Sequence, residues 1–418
     1  PTLEDSTLTI SRRDLIKSGL GAMVFSFGAG ELLNMAAQAA NQSPRKIGGS
    51  KILIAIQLNG GNDGLNTIIP YSQGAYYQAR PVIGIKAEKV LPLNSEIGLH
   101  PSMTGLHALF KAGNVAVIQG AGYPNPNRSH FRSIEIWQTG QPEKISENGW
   151  LGRYLDISCA GKDELFPAVN VDPMLPKTLF GSKVNVPSVS NIDEFKFLTD
   201  PQYKPDRSVQ IDAFNDIYDS YQLKRPHIDL LRKAGMDANL ASDKLHQLVK
   251  NYDSQVKYPQ GAFGNSMKFI SQMITGGLKC PIYGASLDGF DTHTNQLRTQ
   301  DGLLNQLSDG IAALHSDLKK RGMQDDVVIM VFSEFGRRVA ENGGRGTDHG
   351  TAAPVLIIGS SVKGGVYGTH PSLTDLDAGD LKYKIDFRSI YSTILTGWLQ
   401  CESKDVLGQK FENLGFIA

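Results

Sequence analysis

Val327 to Gly359 has the sequence VVIMVFSEFGRRVAENGGRGTDHGTAAPVLIIG, and this stretch indicates the fold. It begins with the apolar run Val327–Phe332 and ends with a second apolar run, Pro354–Ile358. Short runs rich in Val and Ile are typical of strands buried on both faces of a sheet. In an open α/β sheet, ligands bind beyond the carboxyl ends of the strands. The polar loop between the two runs is therefore the first candidate for a functional site.

This loop carries charged and metal-binding side chains among several glycines. A carboxylate, two guanidinium groups and an Asp-His pair predict a site for a metal and an anion. The alternative is that the two arginines lie on a solvated helical turn and that the histidine is a cap. The residues concerned are Glu334, Arg337, Arg338, Asp348 and His349.

A glycine-rich loop follows another predicted strand, Ile52–Leu58. Its sequence from residue 59 is NGGNDG, and its glycines allow the backbone to approach a ligand closely. No GK[ST] follows, so the loop is not a phosphate-binding P-loop. Asn59 and Asp63 are candidate oxygen ligands. The alternative is that they only form a tight turn between strand and helix.

A proline-containing loop follows a third predicted strand, Val115–Gly120, and ends at Ser129. A helix that begins there would direct free backbone N–H groups and a positive dipole end toward an anion. Ser129 is a candidate nucleophile activated by a metal, or simply the N-cap of the helix. Arg128, His130 and Arg132 are further candidate donors.

The fourth candidate segment follows a predicted strand at residues 281–285 and contains Asp291 and His293. Two residues at alternate positions of an extended backbone point the same way, as two ligands of one metal would. Because Asp348 and His349 follow after one predicted helix and one strand, they would lie at the same edge of the sheet. The alternative is an Asx turn with a helix cap.

The first forty residues predict export. They contain the twin-arginine pattern SRRDLIK from Ser11, a Gly/Ala-rich apolar segment at 18–35, and a small-x-small cleavage site at 37–39. We expect residues 1–40 to be a Tat signal peptide and residues 41–418 to be one domain. The Tat machinery is then a partner, and the periplasm is the expected location.

The composition excludes several classes of protein. The chain has 42 basic and 42 acidic side chains, so its net charge gives no indication of nucleic-acid binding. Three cysteines, Cys159, Cys280 and Cys401, allow at most one disulfide.

Alternating strand and helix patterns predict a doubly wound α/β sheet. Apolar residues at helical spacing predict a helical insertion at about 207–277 that packs on the sheet or covers the site. The sequence does not define an oligomeric state.

Five motifs of this sequence together resemble domain-of-unknown-function family 1501. They are QLNGGNDGLN, PNPNRSHFR…WQTG, DGFDTHTNQ, FSEFGRR and GTDHGTAAP. This family belongs to the alkaline phosphatase/sulfatase superfamily. The resemblance covers nearly all of the chain after the signal. It implies a three-layer α/β/α sandwich with two metal sites at the carboxyl ends of the strands, and a Ser, Thr or modified Cys that attacks a phosphate or sulfate ester.

The resemblance also implies roles for individual residues. Ser129 lies at or next to the nucleophile position, and Asp291, His293 and His349 resemble the ligands of one metal. The second site departs from the family pattern, because Asn59 replaces an aspartate and Phe335 replaces a histidine. It retains Glu334, Asn59 and possibly Asp63, and losing two ligands should weaken that site.

These observations predict a periplasmic hydrolase of a phosphate or sulfate ester that depends on a divalent metal. Zinc is the first expectation, with manganese or calcium as alternatives. Arg128, Arg132 or Arg337 would neutralise the transferred group. The alternative is a non-catalytic binding or assembly protein of the cell envelope, whose degenerate metal site binds an anionic glycan or a lipid head group.

Overall fold

The computed structural model describes residues 51–162, 164–193, 195, 207–219, 226–250 and 252–418. The predicted signal peptide lies outside these residues. In the described part of the chain, no helix is long and apolar enough to cross a membrane. Two compact units are present: Ile192–Lys244 belongs to one, and Arg45–Asn191 together with Leu245–Ala418 forms the other. The candidate site lies entirely in the larger unit.

The secondary structure alternates between strands and helices along the chain. The strands of the described residues are β1 Ile52–Leu58, β2 Ile68–Ile69, β3 Leu91–Pro92, β4 Gly98–Leu99, β5 Val115–Gly122, β6 Val169–Asn170, β7 Ile282–Leu287, β8 Val327–Ser333, β9 Ala353–Ile358, β10 Gly365–Tyr367, β11 Leu376–Asp377, β12 Asp380–Leu381 and β13 Ile385–Asp386. The α-helices are α1 Gly64–Thr67, α2 Gly74–Ala79, α3 Thr104–Lys111, α4 His130–Thr139, α5 Trp150–Ser158, α6 Arg207–Asp219, α7 Pro226–Lys250, α8 Ala262–Thr275, α9 Gln296–Lys320, α10 Phe387–Thr393 and α11 Ser403–Leu407.

The central sheet has the strand order β10-β5-β9-β8-β1-β7-β6, and β13 also pairs with β5. Strand β1 runs parallel to both β7 and β8, whereas β9 runs antiparallel to both β5 and β8. The amino end of β9 therefore lies at the same edge as the carboxyl end of β8. As a result, the loop from Glu334 to Ala352 starts and ends at the edge where the parallel strands finish.

Helices cover both faces of this sheet. On one face, side chains of β1, β5, β8 and β9 pack with α4, α5, α10 and α11. Stacked rings strengthen this layer: the ring centroids of Trp137 and Phe387 are 4.5 Å apart, and those of Trp150 and Tyr391 are 4.2 Å apart. On the other face, α3, α8 and α9 pack together, and α3 and α8 contact β5 and β7. The predicted three-layer α/β/α arrangement is confirmed.

Several predicted strand boundaries shift. The strand predicted at Val115–Gly120 continues to Gly122, and the strand predicted at 281–285 is observed at Ile282–Leu287. Residues Gly98–Leu99 pair with β2 and β3, so helix α3 begins only at Thr104. Residues 207–277 contain α6, α7 and α8, so their predicted helical character is confirmed. The position of this insertion relative to the site stays a prediction. The three cysteines are free.

Candidate metal centre

Three segments bring histidines to the carboxyl edge of the sheet. The loop after β7 supplies Asp291 and His293, the first turn of α4 supplies His130, and the loop before β9 supplies His349. An isolated antiparallel bridge pairs Arg337 with His349 and so fixes the last of these loops. One ligand atom from each of His130, Asp291 and His349 lies within 4.8 Å of the other two.

The three imidazoles converge on one carboxylate oxygen. The Nε2 atoms of His293 and His349 each lie 3.1 Å from Oδ1 of Asp291, and Nε2 of His130 lies 3.5 Å from it. The two Nε2 atoms of His293 and His349 are only 3.0 Å apart. We call His130, His293, His349 and Asp291 the histidine cluster.

The other ring nitrogen of each histidine meets an oxygen. Nδ1 of His130 lies 2.8 Å from Oε1 of Glu334, Nδ1 of His293 lies 3.2 Å from Oδ1 of Asp348, and Nδ1 of His349 lies 2.9 Å from the carbonyl of Arg128. These oxygens only accept hydrogen bonds, so each Nδ1 is assigned as the donor. In the neutral imidazoles, each Nε2 therefore directs a lone pair toward Asp291.

This arrangement fits a metal ion. Facing lone pairs on His293 and His349 repel each other unless a proton or a metal lies between them. Nε2 of His130 is buried and has no hydrogen-bond partner among the described residues. Metal-binding histidines characteristically donate their second N–H to a carboxylate or a carbonyl, as all three do here. The donor set of three nitrogens and one oxygen matches zinc better than calcium.

Glu334 positions His130 rather than facing the centre of the cluster. Its side chain is fully buried, and Oε1 also accepts a hydrogen bond of 2.9 Å from the backbone N–H of Gly60. The hydrogen bond to Glu334 raises the pKa of His130, although burial opposes this shift. The structure therefore gives Glu334 a different role from the predicted direct ligand. Asp348 likewise accepts a hydrogen bond from Nδ1 of His293 and so orients that ring.

The buried guanidinium of Arg337 connects several loops through hydrogen bonds. Its Nε donates to the carbonyl of Gly61 at 2.6 Å, and its NH1 donates to the carbonyl of Thr347 at 2.7 Å. Its NH2 donates to Asp291 Oδ1 at 2.6 Å. Burial favours the neutral acid, but the hydrogen bond and charge of Arg337, together with the neighbouring His349 and His293, outweigh it and lower the pKa of Asp291 to about 2. Arg337 therefore orients a candidate ligand, and its donors are already engaged rather than free for a transferred anion.

Phe335 forms an apolar wall of the histidine cluster. Its ring centroid lies 4.9 Å from that of His130 and 4.8 Å from that of His349. The ring also fills the space beside Gly61, where an added Cβ would lie 2.1 Å from it, and Gly61 has a φ of +70°. The phenyl group therefore closes this side of the cluster without offering a ligand atom.

Two predicted ligands of the second site have other partners. Both oxygens of Asp63 bind the guanidinium of Arg80, at 2.5 and 3.0 Å, and both side chains are fully buried. Asp63 also caps α1 by accepting from the N–H of Leu65. Asn59 donates to Asp288 Oδ1 at 2.6 Å. The structure therefore assigns Asp63 to an internal ion pair and Asn59 to a different polar group.

The arginines predicted to bind an anion at the start of α4 have other partners in the structure. The Arg128 side chain forms an ion pair with Asp380, and only its carbonyl contacts the cluster. Arg132 binds Glu135 at 2.8 Å and the carbonyl of Pro142 at 3.0 Å, so its contacts lie along its own helix and the following loop. Ser129 is exposed and occupies the N-cap position, but it makes no side-chain capping bond within the described chain.

The position of His130 was not predicted from the sequence. Its predicted place was among the anion donors, whereas the structure puts its Nε2 3.5 Å from Oδ1 of Asp291. One signal was available, because His130 ends the loop that follows β5, and ligands of an α/β sheet bind beyond the carboxyl ends of its strands. Without the pairing partner Glu334, however, the sequence did not distinguish a ligand from a donor.

The fold and the site together define a three-layer α/β protein with a histidine–aspartate cluster at the carboxyl edge of its sheet. The chain belongs to the family described as "Protein of unknown function (DUF1501)", which matches residues 50–399. The membership predicted from the motifs is confirmed. None of the curated proteins compared with the chain matches it.

Solved structures offer distant likenesses. The PsFucS1 sulfatase from Pseudoalteromonas sp. is 14% identical with a TM-score of 0.37, covering 95% of this chain and 79% of that one. The C-terminal periplasmic domain of EcEptC from Escherichia coli, in complex with Zn, is 11% identical with a TM-score of 0.36, covering 77% and 76%. A protein of the alkaline phosphatase superfamily from Vibrio parahaemolyticus is 11% identical with a TM-score of 0.31, covering 82% and 71%. These likenesses are too distant to assign an activity.

Proposed function

We propose that this protein is a metal-dependent hydrolase that acts on a phosphate or sulfate ester. The observation that carries the proposal is the convergence of three Nε2 atoms on Asp291 Oδ1, at 3.1, 3.1 and 3.5 Å. The Nδ1 atom of each imidazole also donates to an oxygen, which fixes the orientation of the ring. Histidines with only a structural role need not direct their Nε2 atoms to one point, whereas the ligands of one metal must.

The residues proposed to hold the ion are His130, His293, His349 and Asp291. Three imidazole nitrogens favour zinc, and manganese or calcium would prefer more oxygen ligands. When bound, a metal of this kind supplies Lewis-acid polarisation and lowers the pKa of a coordinated hydroxyl or water. Only one ion is proposed, because Asp63 is engaged with Arg80 and Phe335 offers no donor.

Ser129 is the proposed nucleophile. Its exposed position directly before His130 supports this role, as does its place ahead of the free N–H groups of the ten-residue helix α4. These N–H groups and their dipole favour an anion near the same residue. His130 would be kept in one orientation by Glu334, and Asp291 by Arg337, so that substrate binding would not require these side chains to rearrange.

The proposed setting is the periplasm, reached through the twin-arginine signal at residues 1–40. The proposed substrate is a small anionic ester or the ester of an envelope glycan or lipid head group. No nucleic-acid substrate is proposed.

A second candidate is a non-catalytic binding protein of the cell envelope. It is favoured by the engagement of the three candidate arginines. Arg128 pairs with Asp380, Arg132 pairs with Glu135, and Arg337 is buried among carbonyl groups. Such a protein would bind the anionic group through the metal and the helix terminus alone, without turnover.

The deciding experiment combines metal analysis with an ester panel. Mature protein is assayed on phosphate and sulfate monoesters and diesters with zinc, manganese or calcium. We expect about one metal equivalent in the parent protein and in Ser129→Ala, and much less in His349→Ala. Turnover should fall by several orders of magnitude in both variants. Metal binding without turnover on any ester would favour the binding protein, and parent-like metal content in His349→Ala would reject the site.

A further inference from the structure

A cavity of about 550 Å³ lies against one face of the sheet, between the strands and helix α4. Strand β1 contributes Ala55 and Gln57, the loop that follows it contributes Asn59, and α4 contributes Ile134 and Gln138. Alternate residues of a strand share a face, so Ala55 and Gln57 lie on the same side of the sheet. This volume falls within the range of about 300–1,000 Å³ that is usual for small-molecule sites.

The cavity and the histidine cluster are built on the same elements. His130, Ile134 and Gln138 lie four residues apart on α4 and therefore share one face of the helix. Ile134 is only about 6 Å further along the helix axis than His130. Asp288 lines the cavity three residues before Asp291. A molecule whose anionic group is bound at the cluster could therefore place its remaining atoms in the cavity.

One wall of the cavity is a chain of hydrogen-bonded amides. Gln138 Nε2 donates to Gln57 Oε1 at 2.8 Å, Gln57 Nε2 donates to Asn59 Oδ1 at 2.6 Å, and Asn59 Nδ2 donates to Asp288 Oδ1 at 2.6 Å. These bonds fix the orientation of each amide. The wall therefore presents remaining lone pairs and N–H groups in a set order.

The charge of the cavity limits what it can bind. Asp172 and Asp288 both line it, and ionised carboxylates only accept hydrogen bonds. Its basic side chain, Lys177, lies 3.3 Å from Glu135, which already offsets its charge. A phosphate or sulfate group would be repelled here, whereas hydroxyl groups would supply the donors that the carboxylates need.

We propose that this cavity binds a neutral, polyhydroxylated ring, a sugar unit, which carries the ester group presented to the histidine cluster. Apolar side chains such as Ile134 and Phe332 would pack against the C–H face of the ring, and the amide wall would bind its hydroxyls. The link to the ester rests on the proposed function. Sugar binding itself does not require the metal, so it can be tested separately.

The first test measures sugar binding to the mature protein, with and without EDTA treatment, by saturation-transfer NMR and titration calorimetry. The probes are the methyl glycosides of glucose, galactose and N-acetylglucosamine, with that of glucosamine as a cationic comparison. We expect at least one neutral glycoside to bind equally well with and without metal. Asp288→Ala, which removes an exposed acceptor, and Ala55→Leu, which fills the cavity, should each weaken binding at least tenfold. The matched controls Asp405→Ala and Ala108→Leu, both at exposed helix positions, should stay within twofold of the parent.

The outcomes separate the two proposals. Sugar binding with the expected variant effects, but without turnover of any ester, would support the cavity and reject the hydrolase. Turnover of esters without sugar binding, or with binding unchanged in both Asp288→Ala and Ala55→Leu, would overturn the cavity inference and leave the hydrolase standing. Stronger binding of glucosamine than of every neutral sugar would also overturn it, because the carboxylates would then select a cation.

Discussion

Two aspartates follow neighbouring parallel strands at the same edge of the sheet, yet they have different roles. Asp63, after β1, is fully buried and gives both oxygens to Arg80. Asp291, after β7, is 49% exposed and shares one oxygen among Arg337 and three histidines. Each carboxylate is paired with a buried arginine, so the presence of that partner does not distinguish them.

The two aspartates differ in the contacts that each carboxylate makes besides the one to its arginine. Asp63 also accepts from Gln296 at 2.5 Å and from the N–H of Leu65 at 3.1 Å, which uses its remaining acceptor capacity inside the protein. Asp291 instead faces a group of lone-pair donors. A carboxylate at a strand end is therefore a candidate ligand only if its surroundings leave it facing other ligands.

The largest expected effect is on stability, at Asp63. Asp63→Ala leaves the Arg80 guanidinium buried without its partner, and breaking a buried ion pair in this way costs about 3–5 kcal/mol. We expect chemical denaturation to show this loss, while the metal content of the folded protein stays at the parent level.

The control is the double variant Asp63→Asn/Arg80→Gln, which removes both charges. It should recover a substantial part of the lost stability, because no buried charge is left unpaired. Loss of metal from folded Asp63→Ala would contradict the distinction between the two aspartates.

A smaller effect is expected at the residues that hold the histidines. Glu334→Gln keeps the shape of the side chain but removes the charge opposite Nδ1 of His130, and we expect metal affinity to fall about 10–100-fold. Asp348→Asn makes the same change beside His293 at a carboxylate that is 57% exposed, so solvent should limit its effect to a few-fold. Competitive chelator titration measures both affinities, and an effect of Asp348→Asn larger than that of Glu334→Gln would contradict this order.

The sequence predicts most of the sheet because its strands are short, apolar and clearly bounded. Ile52–Leu58 is observed with the predicted limits, and Val327–Phe332 extends by one residue. The antiparallel direction of β9 is not apparent from its composition, since a buried strand has the same apolar pattern in either direction. This direction nevertheless brings Glu334 and His349 to one edge.

The site is predicted less well, because the role of a polar residue depends on partners distant in sequence. Asp291, His293 and His349 lie together in the structure, with both Nε2 atoms 3.1 Å from Oδ1 of Asp291. Asp63 pairs with Arg80, 17 residues away, and Glu334 pairs with His130, 204 residues away. Neither pairing has a local signature. Arg337 shows the same limit, since nothing in the sequence indicates that its donors bind loop carbonyls.

A third aspartate, Asp317, extends the comparison because it is buried and lies outside the histidine cluster. Burial favours its neutral form, but hydrogen bonds from Tyr252, Ser271 and Tyr258 lower its pKa below the usual value. A lowered folded-state pKa stabilises the protein above the unfolded pKa of about 3.9, and this contribution is lost as the pH falls through the folded value. Asp317→Asn should therefore cost about 1–2 kcal/mol at pH 7. Denaturation at several pH values should show the gap to the parent closing below about pH 4; a gap that does not change with pH would reject the ionised role.

The smallest expected effect on stability is at Ser129, and it matters because the same residue is the proposed nucleophile. A capping serine would cost about 1 kcal/mol when replaced by alanine. Ser129 is exposed and, among the described residues, makes no side-chain capping bond, so Ser129→Ala should change stability by less than about 0.5 kcal/mol.

Ser133→Ala is the matched control on the same helix, since its buried hydroxyl donates to the carbonyl of Glu334 at 2.5 Å. That variant should cost about 1–3 kcal/mol, because the carbonyl would lose its partner. If thermal denaturation gives the two variants equal losses, Ser129 has a structural role, and any fall in turnover in Ser129→Ala could no longer be assigned to chemistry.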